Sequence, residues 1–309
     1  MRPVAREAVR RRSGSLRPSR TVGSGAGSQL LSSRIAMSFT PYDWNQSIQT
    51  RMEYIEQRLR DGSPVVGLSI PEGVLLLSVH RTQRKAYELY DRIIFGAIGH
   101  QSDVEAIRNA SLDFCHREGF QRSPDDVTAQ RLVGSVLSPA LKKAFGDPFT
   151  APLIFRGLFA ELGALPEQDA LYTLGFDGEF RLEHGYSVVA GTLEAENRML
   201  ELLHASAGEA RDRVSAIRLG LEAWAVGRIE AQRRGFADRR ALGARLSEEE
   251  EEEGQEIRSV AEALRAEFSA DERDAARLEV GLLERNTARE SKFRLLRPEE
   301  LEPVLAEYR

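Results

Sequence analysis

The sequence predicts an α+β protein, a four-layer αββα sandwich in which two stacked sheets are covered by helices on both outer faces. One observation is the order of the predicted elements: a block of strands, a pair of helices, a second block of strands and a second pair of helices. Another is that the first two strands are apolar on both sides, as in a sheet covered on both faces. The 309 residues suffice for such a domain.

Composition and charge exclude several functional classes. Hydrophobic residues make up 41% of the chain, and no apolar run approaches the roughly 18 residues of a membrane helix. The single cysteine, Cys115, excludes an internal disulfide and fits a reducing compartment, where we expect it to be a small core residue. The five histidines show no metal-ligand spacing. We expect a cytoplasmic protein without a metal, a cofactor or a membrane partner.

Residues 1–36 differ from the rest of the chain. They hold eight arginines and one acid, Glu7, for about +7, so the net charge of −5 leaves roughly −12 for the remainder. The acidic remainder argues against a nucleic acid partner. The Arg-, Ser- and Gly-rich leader cannot bury enough apolar surface to order itself, so we expect disorder. It is either an organellar transit peptide or a stretch that precedes a true start at Met37, and we favour the second interpretation.

The first predicted element is a helix within residues 41–62. Apolar residues recur there at spacings of three and four and form one face: Trp44, Ile48, Met52, Ile55 and Leu59. Gly62 stands where a C-cap glycine belongs. This apolar face must pack on something, either in this chain or in a neighbouring one.

Strands and a pair of helices follow. The runs "VVGLSI" and "VLLLSVH" flank the turn "PEG" and predict a hairpin, and further strands are predicted at Ala86–Tyr90 and 93–98. We expect the first helix to begin at the N-cap Ser102, to end at Gly119, and to bury Val104, Ile107, Ser111 and Phe114. The second is expected to open at Ser123 in "SPDDV" and to bury Leu132, Val136 and Leu141. Pro139 is expected to kink it or to end it early.

The second block begins with a meander. It is predicted by "APLIFRGLFAEL" and "ALYTLGFDGEFRLEH", where Asp177 and Gly178 give the strongest hairpin signal. A strand at "YSVVAGT" leads into a helix that carries Leu193, Met199 and Leu203, and another helix runs from about Ala210 to Val226. The chain closes with strands at "RLEVGLLER" and "KFRLL" and a helix at "RPEELEPVLAEY".

Residues 228–275, before those closing elements, form a charged segment. They are dense in Arg and Glu, and the run "SEEEEEEG" divides them. After this run comes a narrow apolar stripe: Ile257, Val260, Leu264 and Phe268. We expect a solvated helical excursion with a solvated glutamate linker. A docking arm for a partner is the functional alternative.

Ser63 raises a catalytic hypothesis. A strand that starts directly at this residue is typical of αββα hydrolases whose own processed first residue is the nucleophile. That chemistry needs a buried lysine and a carboxylate that orients it. The position on the second strand where the first of these partners would stand is occupied by Val79, and the next strand offers only Lys85. Pro64 also stiffens the chain where processing would occur. We interpret Ser63 as a strand-entry residue, and an N-terminal nucleophile hydrolase is the alternative.

Several stretches together resemble α-type subunits of the 20S proteasome, most closely the bacterial type. They are "MSF" at Met37, "SPVVGLSIPEGVLLL", "KAYELYDRIIFGAIGHQSDVEAIRNASLDFCHREGF", "DVTAQRLV", "LYTLGFDGEF" and "YSVVAGT". The resemblance covers roughly residues 37–227 and 277–309. It implies the proteasome-like fold of N-terminal nucleophile hydrolases and assembly with other copies of this chain into a seven-membered ring. It also implies proteasome β subunits that carry out the proteolysis.

The resemblance also implies residue roles. Gate residues would narrow the axial pore through which unfolded protein substrates enter: Met37, Ser38, Phe39, Thr40, Pro41 and Tyr42. Lys85, with Gly62 in the same pocket wall, would accept the C-terminal carboxylate of a tail from an ATPase ring or another activator. No residue is assigned to catalysis, because β subunits keep a threonine where this chain has Ser63. A stand-alone ring scaffold without β subunits is a further alternative.

Three regions are therefore expected: the leader at 1–36, the gate segment and leading helix at 37–62, and the α-type domain at 63–309. The insertion at 228–275 is longer than the loop usual at this place in the family. It is thus a candidate for altering how an activator docks.

Overall fold

The computed structural model describes residues 41–206, 208, 210, 212–241, 259–268 and 276–308. The leader, the predicted gate residues 37–40, the glutamate run and Ile257 lie outside the described residues.

The strands of the described residues form two antiparallel five-stranded sheets. In chain order they are β1 (Val65–Ile70), β2 (Gly73–His80), β3 (Ala86–Tyr90), β4 (Ile93–Gly99), β5 (Phe155–Glu161), β6 (Ala170–Leu174), β7 (Phe180–Glu183), β8 (Tyr186–Val189), β9 (Arg277–Glu284) and β10 (Phe293–Leu295). The first sheet has the order β10-β9-β2-β1-β8 and the second the order β3-β4-β5-β6-β7. All neighbouring strands are antiparallel.

Helices cover the outer face of each sheet. In chain order they are α1 (Pro41–Leu59), α2 (Gln101–Gln121), α3 (Ala129–Arg131), α4 (Ser138–Gly146), α5 (Leu193–Ser206), α6 (Arg213–Ala241), α7 (Val260–Phe268) and α8 (Pro298–Leu305). Helices α5 to α8 share a buried cluster with the first sheet, and α2 to α4 share one with the second. The predicted αββα sandwich is confirmed.

A third apolar cluster lies between the two sheets. Val65 and Leu76 of the first sheet meet Ile94, Leu158 and Leu171 of the second in this cluster. Since the opposite sheet covers one face of each strand and helices cover the other, β2 and β4 are buried along almost their whole length. That double coverage explains why their sequences are continuously apolar and not alternating.

Helix α1 buries only part of its apolar face in this chain. Ile55 and Leu59 are fully buried, whereas Trp44 and Met52 are 40% and 38% exposed. After the helix, the Gly62 N–H donates to the Leu59 carbonyl at 2.8 Å. A Cβ on Gly62 would lie only 2.8 Å from that same oxygen, so close approach of the backbone, and not a left-handed cap, requires glycine here.

Helix α2 begins and ends at other residues than predicted. Its N-cap is His100, whose side chain makes no capping hydrogen bond, and the predicted cap Ser102 lies in the first turn. The predicted last residue, Gly119, lies inside the helix, where any Cβ would collide with the Tyr90 hydroxyl. The inward face is confirmed, because its four residues are buried: Val104, Ile107, Ser111 and Phe114.

The next helix begins later than predicted. Ser123 caps only one turn of 3-10 helix, and Thr128 caps α3 by accepting the Arg131 N–H at 3.3 Å. Residues Leu132–Leu137 then form a π-helix, which continues through Pro139 into α4. The helix therefore does not end early at Pro139, and the wider turn before it accommodates a proline that has no N–H to donate. Of the predicted inward residues, Leu132 and Leu141 are buried and Val136 is half-buried.

The second block follows the predicted order of strands and helices with two corrections. The hairpin turn is present, and Gly178 has the positive φ of 83° that such a turn requires. Met199 and Leu203 are buried, but Leu193 is 57% exposed because it is the first residue of α5. Helix α6 extends far beyond the predicted end at Val226, to Ala241.

Part of the charged segment belongs to the core. In α7, Leu264 is fully buried, Phe268 is 9% exposed, and Val260 packs against the same cluster. The prediction of a solvated excursion is therefore wrong for these residues, because their narrow stripe packs beside α6 on the first sheet. Cys115 is fully buried, as predicted for a core residue.

Candidate functional site

A cavity of about 500 Å³ lies beside the ends of β2 and α1. Its wall includes Asp61 and Ser63 after α1, His80 at the end of β2, and the loop from Arg81 to Lys85 that leads into β3. Other wall residues come from β4 and the start of α2, from α6 and from α7. Segments that lie far apart in the sequence therefore build the cavity together.

Lys85 is half-buried in this wall. Its Nζ donates to the Ser63 carbonyl oxygen at 3.0 Å. The pKa of Lys85 is lowered to about 8, mainly by burial, which disfavours the charged form, and also by the nearby Arg228, while Glu279 acts in the opposite direction. An ammonium has three N–H groups, and no second acceptor for Nζ is found among the described residues. Lys85 can therefore donate to a ligand in the cavity.

Glu279 holds the loop that ends in Lys85. This carboxylate on β9 is only 7% exposed. Its Oε2 accepts the Lys85 backbone N–H at 2.6 Å and the Ala86 N–H at 3.3 Å, and its Oε1 accepts from Arg84 Nε at 3.1 Å. Charge-assisted hydrogen bonds of this kind are among the stronger ones in proteins, so Glu279 fixes where Lys85 enters the cavity.

Ser63 has structural partners. Its hydroxyl donates to the Val79 carbonyl at 2.5 Å and accepts from Trp224 Nε1 at 2.9 Å. Both contacts hold the side chain at the entry of β1, and neither partner can remove a proton from the hydroxyl. This geometry favours the strand-entry interpretation over the nucleophile.

His80 is a half-buried titratable group in the same wall. Its Nε2 lies 3.7 Å from Glu279 Oε2, and its buried Nδ1 has no hydrogen-bond partner among the described residues. Burial is the main reason why the pKa of His80 lies below its usual value, and the cations around it act in the same direction. His80 is therefore neutral at neutral pH and adds no charge to the cavity.

The lining of the cavity has more cations than acids. The cationic side chains are Arg81, Arg84, Lys85 and Arg228, and the acidic ones are Asp61 and Glu267. Among the described residues, no group of three or more His, Cys, Asp or Glu side chains is arranged to hold a metal ion. A cavity of this charge suits an anion such as a carboxylate.

The predicted site residues lie in different places. Lys85 lines the cavity, and Gly62 lies between two lining residues, Asp61 and Ser63. Pro41 and Tyr42 are the first residues of α1. The other predicted gate residues, 37–40, lie outside the part of the chain that the structure describes. No helix within the described ranges is long and apolar enough to cross a membrane.

Sequence reasoning missed three residues of this site: Arg228, Glu267 and Glu279. A signal existed for Glu279, because it is an acid inside the otherwise apolar run of a strand that is buried on both faces. For Arg228 and Glu267 the sequence shows only charged residues in a charged segment, which gives no signal.

Curated relatives that share one name match about half of the chain. The protein named proteasome subunit alpha of Actinosynnema mirum is 33% identical over 184 residues, which are 59% of this chain and 68% of the relative. The equally named proteins of Thermomonospora curvata and Xylanimonas cellulosilytica are 31% and 30% identical over 161 residues, which are 68% and 64% of those relatives. No protein-family model matches the chain. At this identity and coverage, the chain belongs to the family of bacterial-type proteasome α subunits.

Proposed function

We propose that this chain is a non-catalytic α subunit of a proteasome core. Copies of it form a seven-membered outer ring that stacks on proteolytic β subunits, gates the entry of unfolded proteins, and docks the tails of an ATPase ring or another activator. The observation that carries the docking role is Lys85, a half-buried lysine with free donor capacity in a cationic cavity.

A terminal carboxylate is the ligand that this cavity suits best. Its negative charge complements Lys85 and Arg228, and the end of a chain is narrow enough for about 500 Å³. A charge-assisted hydrogen bond contributes about 1.5–3 kcal/mol. Several tails that bind one ring at once raise the overall affinity well above that of a single tail.

The contacts of Ser63 support the non-catalytic role. Its hydroxyl donates to the Val79 carbonyl and accepts from the Trp224 indole. Peptide hydrolysis in the assembly is therefore assigned to the β subunits.

The exposed apolar residues of α1 support ring assembly. Trp44 and Met52 lie on the same face as the buried Ile55 and Leu59 but remain 40% and 38% exposed. A neighbouring copy in the ring would cover them. The gate residues 37–40 then precede this helix, and the gate residues Pro41 and Tyr42 are its first two residues.

The docking role is tested with Lys85→Ala in the core purified with its β subunits. We expect the variant to lose activator-stimulated degradation of an unfolded protein, because the tail carboxylate loses its cation, while native electrophoresis shows intact assembly. Lys143→Ala is the matched control, since Lys143 is an exposed lysine on α4 outside the cavity. Full stimulation in the Lys85→Ala core would show that tails dock elsewhere.

The subunit role is tested by the intact mass of the chain purified from its own cells, with its co-purifying proteins identified. We expect a chain that retains the residues before Ser63, together with a β subunit that begins with threonine. A mature chain that begins at Ser63 and has no partner would instead establish the N-terminal nucleophile hydrolase. An unprocessed ring without a β subunit would establish the stand-alone scaffold.

A further inference from the structure

Helix α7 brings the acidic side chain of Glu267 to the wall of the cavity. Glu267 lines the cavity, and its Oε2 accepts from Arg81 Nη2 at 2.8 Å. The Arg81 side chain is 53% exposed, whereas Glu267, at 20%, is half-buried like Lys85, so the ion pair presents its arginine toward solvent. Leu264 and Phe268 are buried on either side of Glu267 in the helix and fix its backbone.

The ion pair between Arg81 and Glu267 affects which cationic side chains of the cavity are available to a ligand. Glu279 engages Arg84 at 3.1 Å, and Glu267 engages Arg81 at 2.8 Å. Lys85 and Arg228 instead donate to the backbone carbonyls of Ser63 and Asp61, which carry no full charge. Among the described residues, Lys85 and Arg228 thus form no ion pair, whereas the Arg81–Glu267 pair has no net charge.

We propose that Glu267 sets the charge specificity of the cavity by neutralising Arg81, so that the cavity selects the terminal carboxylate and gains nothing from acidic residues before it. This inference rests on the docking function proposed above. An acidic residue shortly before the terminus would meet a paired guanidinium without net charge and gain no affinity from it. Without Glu267, the free guanidinium of Arg81 would favour acidic residues instead.

Labelled octapeptides with a free C-terminal carboxylate test the proposal. They are identical except for Gln, Glu or Lys at one of the three positions before the last residue, and their affinities for the assembled full-length chain are measured by fluorescence anisotropy. We expect the wild type to bind the best Gln peptide and its Glu counterpart within about twofold of each other, because the paired Arg81 has no net charge to offer either peptide.

The variants isolate the ion pair. Glu267→Gln keeps a hydrogen-bond acceptor for Arg81 but leaves its charge unpaired, so this variant should favour the Glu peptide at least about threefold, while Arg81→Gln should favour the Gln peptide. The double variant should bind the Gln and Glu peptides within about twofold of each other, because both charges are gone. Glu183→Gln, which removes an exposed acid of β7 outside the cavity, should behave as the wild type.

The outcomes separate the two proposals. If the wild type binds a peptide with a C-terminal amide as tightly as the free acid, or if Lys85→Ala binds normally, the docking function itself is wrong. If both of those tests support docking but Glu267→Gln leaves the Gln-to-Glu ratio unchanged, only the role of Glu267 is wrong.

Discussion

At the scale of single residues, Lys85 must be charged to bind a carboxylate, yet its surroundings favour the neutral amine. Burial lowers its pKa to about 8, with a further contribution from Arg228 and opposition from Glu279. The ammonium is therefore present below pH 8 and is lost above it. His80 is already neutral throughout this range, because its pKa lies below the usual value, and a carboxylate stays ionised.

We expect the affinity for a C-terminal carboxylate to be highest below about pH 8 and to fall as the pH rises to about 10, since the bound carboxylate delays but does not prevent deprotonation. Anisotropy titrations of a carboxylate peptide across this range measure the fall. Lys85→Arg is the control, because a guanidinium remains charged and its profile should stay flat. A wild-type profile as flat as that of the arginine variant would contradict the assignment.

Glu279 should act through Lys85. In Glu279→Gln, the side chain loses its charge and presents an amide to the cluster of donors that Lys85, Ala86 and Arg84 form. We expect the free energy of unfolding to fall by about 1–2 kcal/mol. We also expect the alkaline fall in tail affinity to move to lower pH, because the Glu279 charge raises the pKa of Lys85.

The shift along the pH axis separates this role from general destabilisation, which would lower affinity equally at every pH. Glu183→Gln is the matched control for removal of one acid. If tail affinity fell at the same pH in Glu279→Gln as in the wild type, Glu279 would not affect the pKa of Lys85.

Lys85 and Glu279 also mark the limit of prediction from sequence. Lys85 could be identified because a family resemblance extends over its strand. Glu279 could be noticed as an acid in an apolar strand, but its role could not be predicted, because its contact with the Lys85 N–H joins residues 194 positions apart. Local patterns carry no information on which loop such an acid will meet.

At the scale of elements, the periodic patterns predicted which helices and strands exist better than where they end. The N-cap of α2 is His100 and not Ser102, and the N-cap of α3 is Thr128 and not Ser123. Serine is a preferred residue at N-caps, which is why Ser102 and Ser123 were predicted there. A serine hydroxyl can also form other local hydrogen bonds, and tertiary packing decides which residue begins the helix. Helix α6 passes Val226 because no residue there forces it to end.

Helix α7 provides the test at this scale. Leu264 is fully buried between α7 and the first sheet, so Leu264→Ala should lower the free energy of unfolding by about 2–5 kcal/mol through lost burial and a residual cavity. Urea denaturation measures the loss. Arg265→Ala, at the exposed neighbouring position, should change stability by no more than about 0.5 kcal/mol. Equal stabilities of the two variants would mean that α7 is not part of the core.

At the scale of the whole molecule, alternating blocks of strands and helices predicted the αββα sandwich correctly. Its layers follow from local periodicity, since doubly covered strands must be apolar throughout. The cavity does not follow from periodicity, because its wall joins residues after α1, the β2–β3 loop, α6 and α7. The order of elements therefore gives the layers, while the site arises where the ends of separate elements meet.

The gate is a property of the assembly, and the start of α1 at Pro41 defines how to test it. A deletion of residues 1–40 removes four of the proposed gate residues and leaves this helix intact, whereas a deletion of residues 1–36 removes only the leader. In cores assembled with β subunits, we expect the longer deletion to raise hydrolysis of a short fluorogenic peptide several-fold without an activator, because the pore is no longer narrowed.

The shorter deletion is the matched control, and it should leave hydrolysis at the level of a core that contains the full-length chain. Native electrophoresis of both cores checks that the rings are intact, so that a change in rate reports on entry and not on assembly. Equal rates in all cores would rule out a gate in residues 37–40. A rise already with the shorter deletion would instead place the obstruction in the arginine-rich leader, whose eight arginines distinguish it from the acidic remainder of the chain.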